Sequence, residues 1–395
     1  MAWEGKGKTA VVGLGMSKLT RRADKPLGAL ALDACYAAIA DAGLKPSDID
    51  GLATYPDQPF RGAGNRDGED LVNALFLMTH GEFAPDIKWY AQISTGMIAS
   101  APIEGVNALL AGACNYVLFW RAMHIPKGTY NSFKSYQAGG DGQFGAPYGH
   151  VHGYQTHAMA YRHYLNKYNH NREKMAALVT NSRKNANLNP NAFFYEQPMS
   201  VEDYLNARTI ADPLALFDCD VPVEGCTALV MTTADRAKDL KNKPAYIAGY
   251  GQNTAHRPEY MTYMIDDYLA AGRPHAGKIY DRAGMGPKDI DVAELYDGFS
   301  PSTLYWLEAA GFCGEGEALD FVQNGNVSLT GSLPLNTFGG SLSEGRLHGM
   351  GHLAEAVRQV TDRAEGRQIK GANTSIAIDG SPLLRGSGMI FTREP

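Results

Sequence analysis

Two stretches of this chain concentrate side chains that can move protons or hold charge. The first is ELYDGFS, Glu294 to Ser300, where Tyr296 and Asp297 follow an apolar strand-like run. The second is NTFGGSLSEGRLHGMGH, a glycine-rich turn carrying Gly339, Gly340, Glu344, Arg346, His348 and His352. Imidazole titrates near pH ~6.5 and phenol near ~10, whereas guanidinium keeps its proton. A tyrosine, a histidine and an arginine in two turns therefore suit proton transfer beside a fixed positive charge. Plainer roles fit each residue too. Tyr296 is one of 21 tyrosines and suits packing at a strand end. Asp297 suits a cap on the helix predicted in FSPSTLYWLEAAG, or a ligand for turn amides. Glu344 and Arg346 suit a solvated ion pair. His348 and His352 are four apart, which on a helix places both rings on one face. They lack the H-E-x-x-H pattern and the further ligands a zinc site needs, so no metal is expected.

Two more groups stand out. His150, His152, His157 and His163 cluster in PYGHVHGYQTHAMAYRHYL, where they line a pocket or decorate a turn and a helix surface. The five cysteines, Cys35, Cys114, Cys219, Cys226 and Cys313, are scattered, with no C-x-x-C pair. They read as reduced thiols, and Cys226 and Cys313 as small core residues. GLGMS near the start lacks the full G-x-G-x-x-G of a dinucleotide fingerprint. GSGMIF near the end lets the chain pass close to the site or a partner.

The elements that position these residues come in two matching sets. AGLKPSDID (Ala42 to Asp50) and AGMGPKDID (Ala283 to Asp291) share six of nine residues at an offset of 241. TAVVGLG and AYIAGYG match at an offset of 236. Each set reads as strand, helix, Pro-Asp turn and second strand, then a glycine turn, a helix and another strand. Strands alternating with helices predict an α/β fold with a mainly parallel or mixed sheet. The expected halves are residues 1–240, interrupted by an insertion over about 121–216 with its own helices, and residues 241–395. With 395 residues and a net charge of −6, the chain has no basic excess for nucleic acid. No apolar run is long enough to span a membrane, and the start lacks a signal-peptide pattern, so a cytoplasmic location is expected.

The repeat, the NTFGG turn, ELYDGFS, EDYLNARTIADPLALFDCDVPVEG and GFCGEGEALDFV together resemble the thiolase superfamily. Within it they are most similar to the sterol-carrier-protein-type branch of bacterial "lipid-transfer" thiolase-like proteins. That resemblance implies a five-layer αβαβα fold, a homodimer and acyl-coenzyme A substrates. Thiolases form an acyl-enzyme on a cysteine, which a Gly-His-Pro histidine activates. Here the cysteine position falls on Ile93 in QISTG, and the histidine position on Arg346. Isoleucine is no nucleophile, arginine is no ordinary base, and the neighbouring Ser94 lacks activation.

The resemblance therefore points to the steroid side-chain aldolases, which cleave a β-hydroxyacyl-CoA by retro-aldol chemistry without an acyl-enzyme. In that group tyrosines act as acid and base. Tyr296 matches one of them, and Arg346 stands where the other commonly stands. The expectation is that Arg346 lowers the phenol pKa of Tyr296 or holds the enolate oxygen, with His348 as a proton relay and Asp297 beside them. Substrate contacts are expected from Ser94, Thr95, Gly96, Gly339, Gly340, Glu344, His150 and His152. No cofactor is expected beyond the coenzyme A of the substrate. Relatives pair with a small OB-fold subunit, implying a heterotetramer around a dimeric core. The alternatives are a thiolase-like acyltransferase and a non-catalytic acyl-CoA-binding subunit.

Overall fold

The structure is a computed structural model that describes residues 3–55, 72–93, 97–124, 142–150, 152–254 and 267–395. The GLG of β1 (Thr9–Met16) explains how its first helix, α1 (Leu27–Asp41), docks. A Cβ on Gly13 would lie 2.2 Å from the Ala38 carbonyl oxygen and 3.0 Å from the Ala42 methyl, so only glycine admits the helix so close. The second set repeats the contact. A Cβ on Gly249 would lie 2.5 Å from the Ile279 carbonyl and 3.0 Å from the Ala283 methyl. Those residues are the counterparts of Gly13, Ala38 and Ala42 at the offsets read from the sequence. The strand is β8 (Ala245–Thr254) and the helix α5 (Asp267–Ala283).

The remaining strands are β2 (Gly51–Thr54), β3 (Trp89–Gln92), β4 (Tyr116–Met123), β7 (Gly225–Thr233), β9 (Val292–Leu295), β10 (Thr374–Ser381) and β11 (Arg385–Thr392). A small hairpin, β5 (Thr209–Ala211) and β6 (Leu214–Ala215), stands apart. The sheet order is β3-β2-β4-β7-β1 followed by β8-β11-β10-β9. β2 pairs parallel with both β3 and β4, β9 pairs parallel with β10, and the other pairings are antiparallel. In the sheet, the sets meet at β1 and β8, where Ala10 pairs with Tyr246 and Val11 with Ala245.

Strand alternation sorts the core into layers. Ala10, Val12, Leu118, Trp120 and Val230 face α1. Val11, Val117, Phe119, Leu229 and Met231 face a central layer made by α2 (Ser100–Leu110) and α7 (Met350–Val360). From the other set, Ile247, Ala377, Met389 and Phe391 close on the same helices. Ala248, Ile376, Ile378 and Ile390 turn outward, against α5 and α6 (Ser300–Ala309). The result is the five-layer α/β architecture expected from two duplicated halves.

The insertion supplies α3 (Gly153–Lys167) and α4 (Ala176–Ala186), and Tyr164 of α3 packs its ring against Tyr305 of α6, a helix whose residues are all buried. Glu308 anchors that packing. Its carboxylate accepts from the hydroxyls of Tyr164 and Tyr268 and from the amides of Gly316 (2.9 Å) and Ala318 (3.1 Å). A buried carboxylate with four donors is satisfied, so Glu308 is structural. Among the described residues no helix is long and apolar enough to cross a membrane.

Candidate active site

The two chemistry-bearing stretches meet at the ends of β9 and β10. The Tyr296 amide donates to the Ile378 carbonyl (2.9 Å), which carries Tyr296 just past the β9 end beside β10. Asp297, fully buried, does not cap α6. Its carboxylate accepts from the amides of Ser341 (2.7 Å) and Leu342 (3.3 Å) and pairs with His352 Nε2 (3.0 Å). Gly340, at φ +64, leaves room for it, since a Cβ there would lie 1.9 Å from Asp297 Oδ2. The turn then holds a third segment. Val221 N donates to Ser341 O (2.9 Å), and Arg346 N donates to Val221 O (2.8 Å). Arg346 Nε thereby stands 3.5 Å from Asp220 Oδ2, both buried.

Two sequence readings are corrected here. Glu344 and Arg346 are not a solvated pair: Glu344 accepts from Asn189 (3.0 Å) in the interior, whereas Arg346 pairs with Asp220. Nor do His348 and His352 share a helix face. His348 precedes α7 at φ +54, and its Nδ1 meets Arg121 Nη2 at 3.1 Å, while His352 turns to Asp297.

The electrostatics also differ from expectation. Arg346 pulls the Tyr296 pKa down, but burial and then Asp220 outweigh it, so the phenol sits well above its ordinary value. The neutral phenol, not a tyrosinate, is therefore the favoured form of Tyr296 at neutral pH. Burial, reinforced by Arg121, Arg346 and Arg385, drives His348 far below the usual imidazole value, so it is no proton relay at neutral pH. Burial lowers Arg121 to about 10, which leaves it charged. Asp379, at the end of β10, is pushed by burial up to about 7, although it accepts from Ser387 Oγ (2.7 Å) and Ala99 N (2.8 Å).

Glu344 behaves similarly: burial raises it to about 7 despite the opposing Arg358, and one carboxylate oxygen has no hydrogen-bond partner. A carboxyl raised in the folded state binds its proton more tightly there than in the unfolded chain. It stabilises the fold fully below pH ~4.5, and that stabilisation is lost as pH rises through about 7. Glu344→Gln is expected to flatten the fall in urea-unfolding free energy between pH 4.5 and about 7, by roughly 1.4 kcal/mol per pH unit. An unchanged slope counts against a protonated Glu344.

Gly339 and Gly340 lie in the turn that binds Asp297. His150 hydrogen-bonds Thr156 (2.7 Å), and His152 stacks on Tyr154 (4.8 Å) at the start of α3. It is His157 that reaches the ELYDGFS element, stacking on Phe299 at 4.3 Å. Ser94, Thr95 and Gly96 lie outside the described residues. Ile93 ends β3's extension and packs against the central core. The thiols are held protonated: burial pushes Cys114 up to about 12, and Cys219, Cys313 and Cys35 also go up. A cavity of about 630 Å³ opens over Cys219, Asp220, Val221 and Pro222, with Arg21 and Arg208 on its walls and Tyr154, Phe194 and Phe217 as aromatic lining.

Sequence reasoning missed Arg121, Asp220 and Asp379. For Arg121 a signal existed, since YVLFWRAM is a buried strand in which a lone arginine needs a partner.

Residues 253–391 match the "Thiolase C-terminal domain-like" family. The chain is 33% identical to a "Steroid side-chain-cleaving aldolase" of Thermomonospora curvata, over 98% of both chains. It is also 33% identical to a "17-hydroxy-3-oxo-4-pregnene-20-carboxyl-CoA lyase" of Mycobacterium tuberculosis, over 90% of this chain and 92% of that one. The chain belongs to the thiolase superfamily, in its thiolase-like aldolase branch. The structure of an "Ltp2-ChsH2(DUF35) aldolase" superposes with a TM-score of 0.86 at 32% identity, covering 98% of both chains. A human mitochondrial 3-ketoacyl-CoA thiolase at 14% identity (TM-score 0.67) shares the fold.

Proposed function

We propose that this protein is an aldolase that cleaves a β-hydroxyacyl-CoA thioester, of the steroid side-chain class, into a ketone or aldehyde and a shorter acyl-CoA. The observation that carries this reading is the buried Asp220–Arg346 pair acting on the neutral phenol of Tyr296; the resemblance, which sets Ile93 at the nucleophile's position, supports it. The aldolase and lyase relatives, full-length at 33% identity, support the substrate class. Asp220, which lines the cavity, takes the β-hydroxyl proton. The Cα–Cβ bond breaks, the ketone or aldehyde forms, and the electron pair moves into the thioester enolate. The Arg346 guanidinium holds the enolate oxygen. The neutral phenol of Tyr296 protonates Cα, and the proton on Asp220 returns to the tyrosinate. The cycle needs no cofactor besides the coenzyme A of the substrate. The cavity accepts the thioester, with Arg21 and Arg208 placed for phosphate groups.

A small OB-fold subunit of the DUF35 kind completes the assembly on a homodimeric core, supported by the two-component aldolase structure that this chain superposes on. The test is product analysis with a panel of β-hydroxyacyl-CoAs, steroid side-chain thioesters included, in the presence of that subunit. A ketone or aldehyde released with shortened acyl-CoA, and an unchanged intact mass of the protein, are the expected results. A stable acyl adduct would instead mark an acyltransferase, and no cleavage of any thioester a binding subunit.

A further inference from the structure

Two aromatic walls of the cavity, Phe194 and Phe217, come from separate segments. Phe194 hangs from the glycine turn, because Phe193 N donates to Glu344 O (2.9 Å) and Phe194 N to Ser343 O (3.2 Å). Phe217 lies in a short helical turn, Leu216–Asp218, just before Cys219 and Asp220. Asp218 pins that turn: its carboxylate accepts from Tyr204 Oη (2.9 Å), Ser300 Oγ (2.7 Å) and Ala215 N (2.8 Å). Arg183 of α4, itself buried, bridges the two rings. Its guanidinium carbon lies 3.6 Å from the centre of the Phe194 ring and 5.4 Å from that of Phe217, both within cation–π range. Its Nε donates to Ser343 Oγ (3.4 Å) and its Nη1 to Gln197 O (3.3 Å). Burial lowers its pKa to about 10 against the opposing charge of Asp203, which leaves it protonated at neutral pH. A flat guanidinium is suited to this place, since its plate stacks on a ring while its fork reaches acceptors in the plane. A buried cation is a costly filler, so a role beyond filling space is expected of it.

Asp220 lines the same cavity as the two rings. In the retro-aldol reading it takes the β-hydroxyl proton, so the β-carbon and its substituents lie beside Phe217 and Phe194. The cavity therefore holds the half of the substrate that departs as the ketone or aldehyde. Fixed walls favour a rigid guest, because a fused ring loses less conformational freedom on binding than an open chain. We propose that Arg183 determines the acyl specificity of this site: it fixes Phe194 and Phe217 as the walls of a slot that selects a ring-bearing ketone half over an open chain of equal size. The placing of that half rests on the retro-aldol reading above. Arg183 is a positioning residue, acting on the substrate through the two rings.

The test compares two ketones of ten carbons, the fused-ring decalone and the open-chain methyl octyl ketone. It also compares the β-hydroxyacyl-CoAs that release each of them together with acetyl-CoA. Ketone binding to the full chain, with the OB-fold subunit present, is read first by saturation-transfer NMR without coenzyme A. Wild type is expected to bind decalone at least about tenfold more tightly. Arg183→Met is expected to bring the two ketones within about threefold of each other. In turnover, the wild-type ratio of kcat/KM should favour the fused-ring thioester by about tenfold or more. In Arg183→Met that ratio should collapse, mainly through KM of the fused-ring thioester. Arg183→Lys keeps a cation near the rings without the fork and should fall between. A residue that only supported the fold would weaken both ketones and both thioesters alike. An unchanged ratio in folded Arg183→Met therefore overturns the proposal, as does a wild type with no preference. If Arg183→Met does not fold, Phe194→Leu, Phe217→Leu and Arg183→Lys carry the test, and a full preference kept by all three overturns it. A preference that depends on Arg183 in a chain that cleaves neither thioester keeps the slot and removes the retro-aldol reading. Cleavage of both thioesters at a ratio that Arg183→Met leaves unaltered does the reverse.

Discussion

Tyr296→Phe is expected to lower kcat by about 10²–10⁴-fold with little change in KM, the range for losing a positioned proton donor. The argument rests on the protonation state. Burial and the Asp220 carboxylate hold the phenol well above its free value, and Arg346 only partly opposes them. A group so raised stays protonated at neutral pH, so its proton is available to the far more basic carbanion, and it takes a proton back from Asp220 in the closing step. Phenylalanine keeps the ring, including its contact with His352 at 5.8 Å, and removes only the hydroxyl. Wild type should exchange the α-hydrogens of the product acyl-CoA with solvent deuterium, and the variant should not. The alkaline limb of kcat assigned to Tyr296 should lie above the pH at which a free phenol ionises. Wild-type turnover by Tyr296→Phe, or a Tyr296 limb below that pH, would return the acid's role to another group.

The same centre shows where sequence reasoning ran out. The matching strand–helix sets were legible because their signals are local, but the close approach of Gly13 to α1 and of Gly249 to α5 appears only in the fold. ELYDGFS was legible as a strand end for the same reason. The partners of its side chains were not. Asp297 precedes a helix by three residues, which suggests a cap, yet its donors lie 44 and 45 residues onward. The His348–His352 spacing suggested a shared helix face, but a run of positive φ at Gly345, His348 and Gly349 delays the helix to Met350. Periodicity cannot show such a delay, because it assumes the helix it looks for. Arg121 and His348 are 227 residues apart. Only the closed fold brings them together, and burial, reinforced by Arg121 and two further arginines, disfavours a charged His348. The thiols were more legible: scattered and unpaired, they suggested small reduced core residues, and burial pushes Cys114 and Cys219 up.

Asp297→Ala is expected to cost both stability and activity, through one chain of hydrogen bonds. The carboxylate satisfies the Ser341 and Leu342 amides and His352 Nε2, all in the interior. Removing it strands these donors, at about 1–3 kcal/mol for each buried group left unpaired. The damage travels further because Ser341 O receives Val221 N, and Val221 O receives Arg346 N. Loosening the turn thus moves Asp220 and Arg346, the base and the anion holder of the proposed reaction, without touching either side chain. Gly340→Ala attacks the same joint from the other side. Its Cβ would meet Asp297 Oδ2 at 1.9 Å on a backbone already at φ +64. The two substitutions should therefore be non-additive: the double variant should be little less stable than Asp297→Ala alone, because the methyl that clashes with a carboxylate fits the space an alanine leaves. Urea unfolding of the three variants, with kcat measured below their transitions, tests this. Strictly additive losses would mean that Gly340 answers only to its own φ, and that Asp297 does not organise the turn.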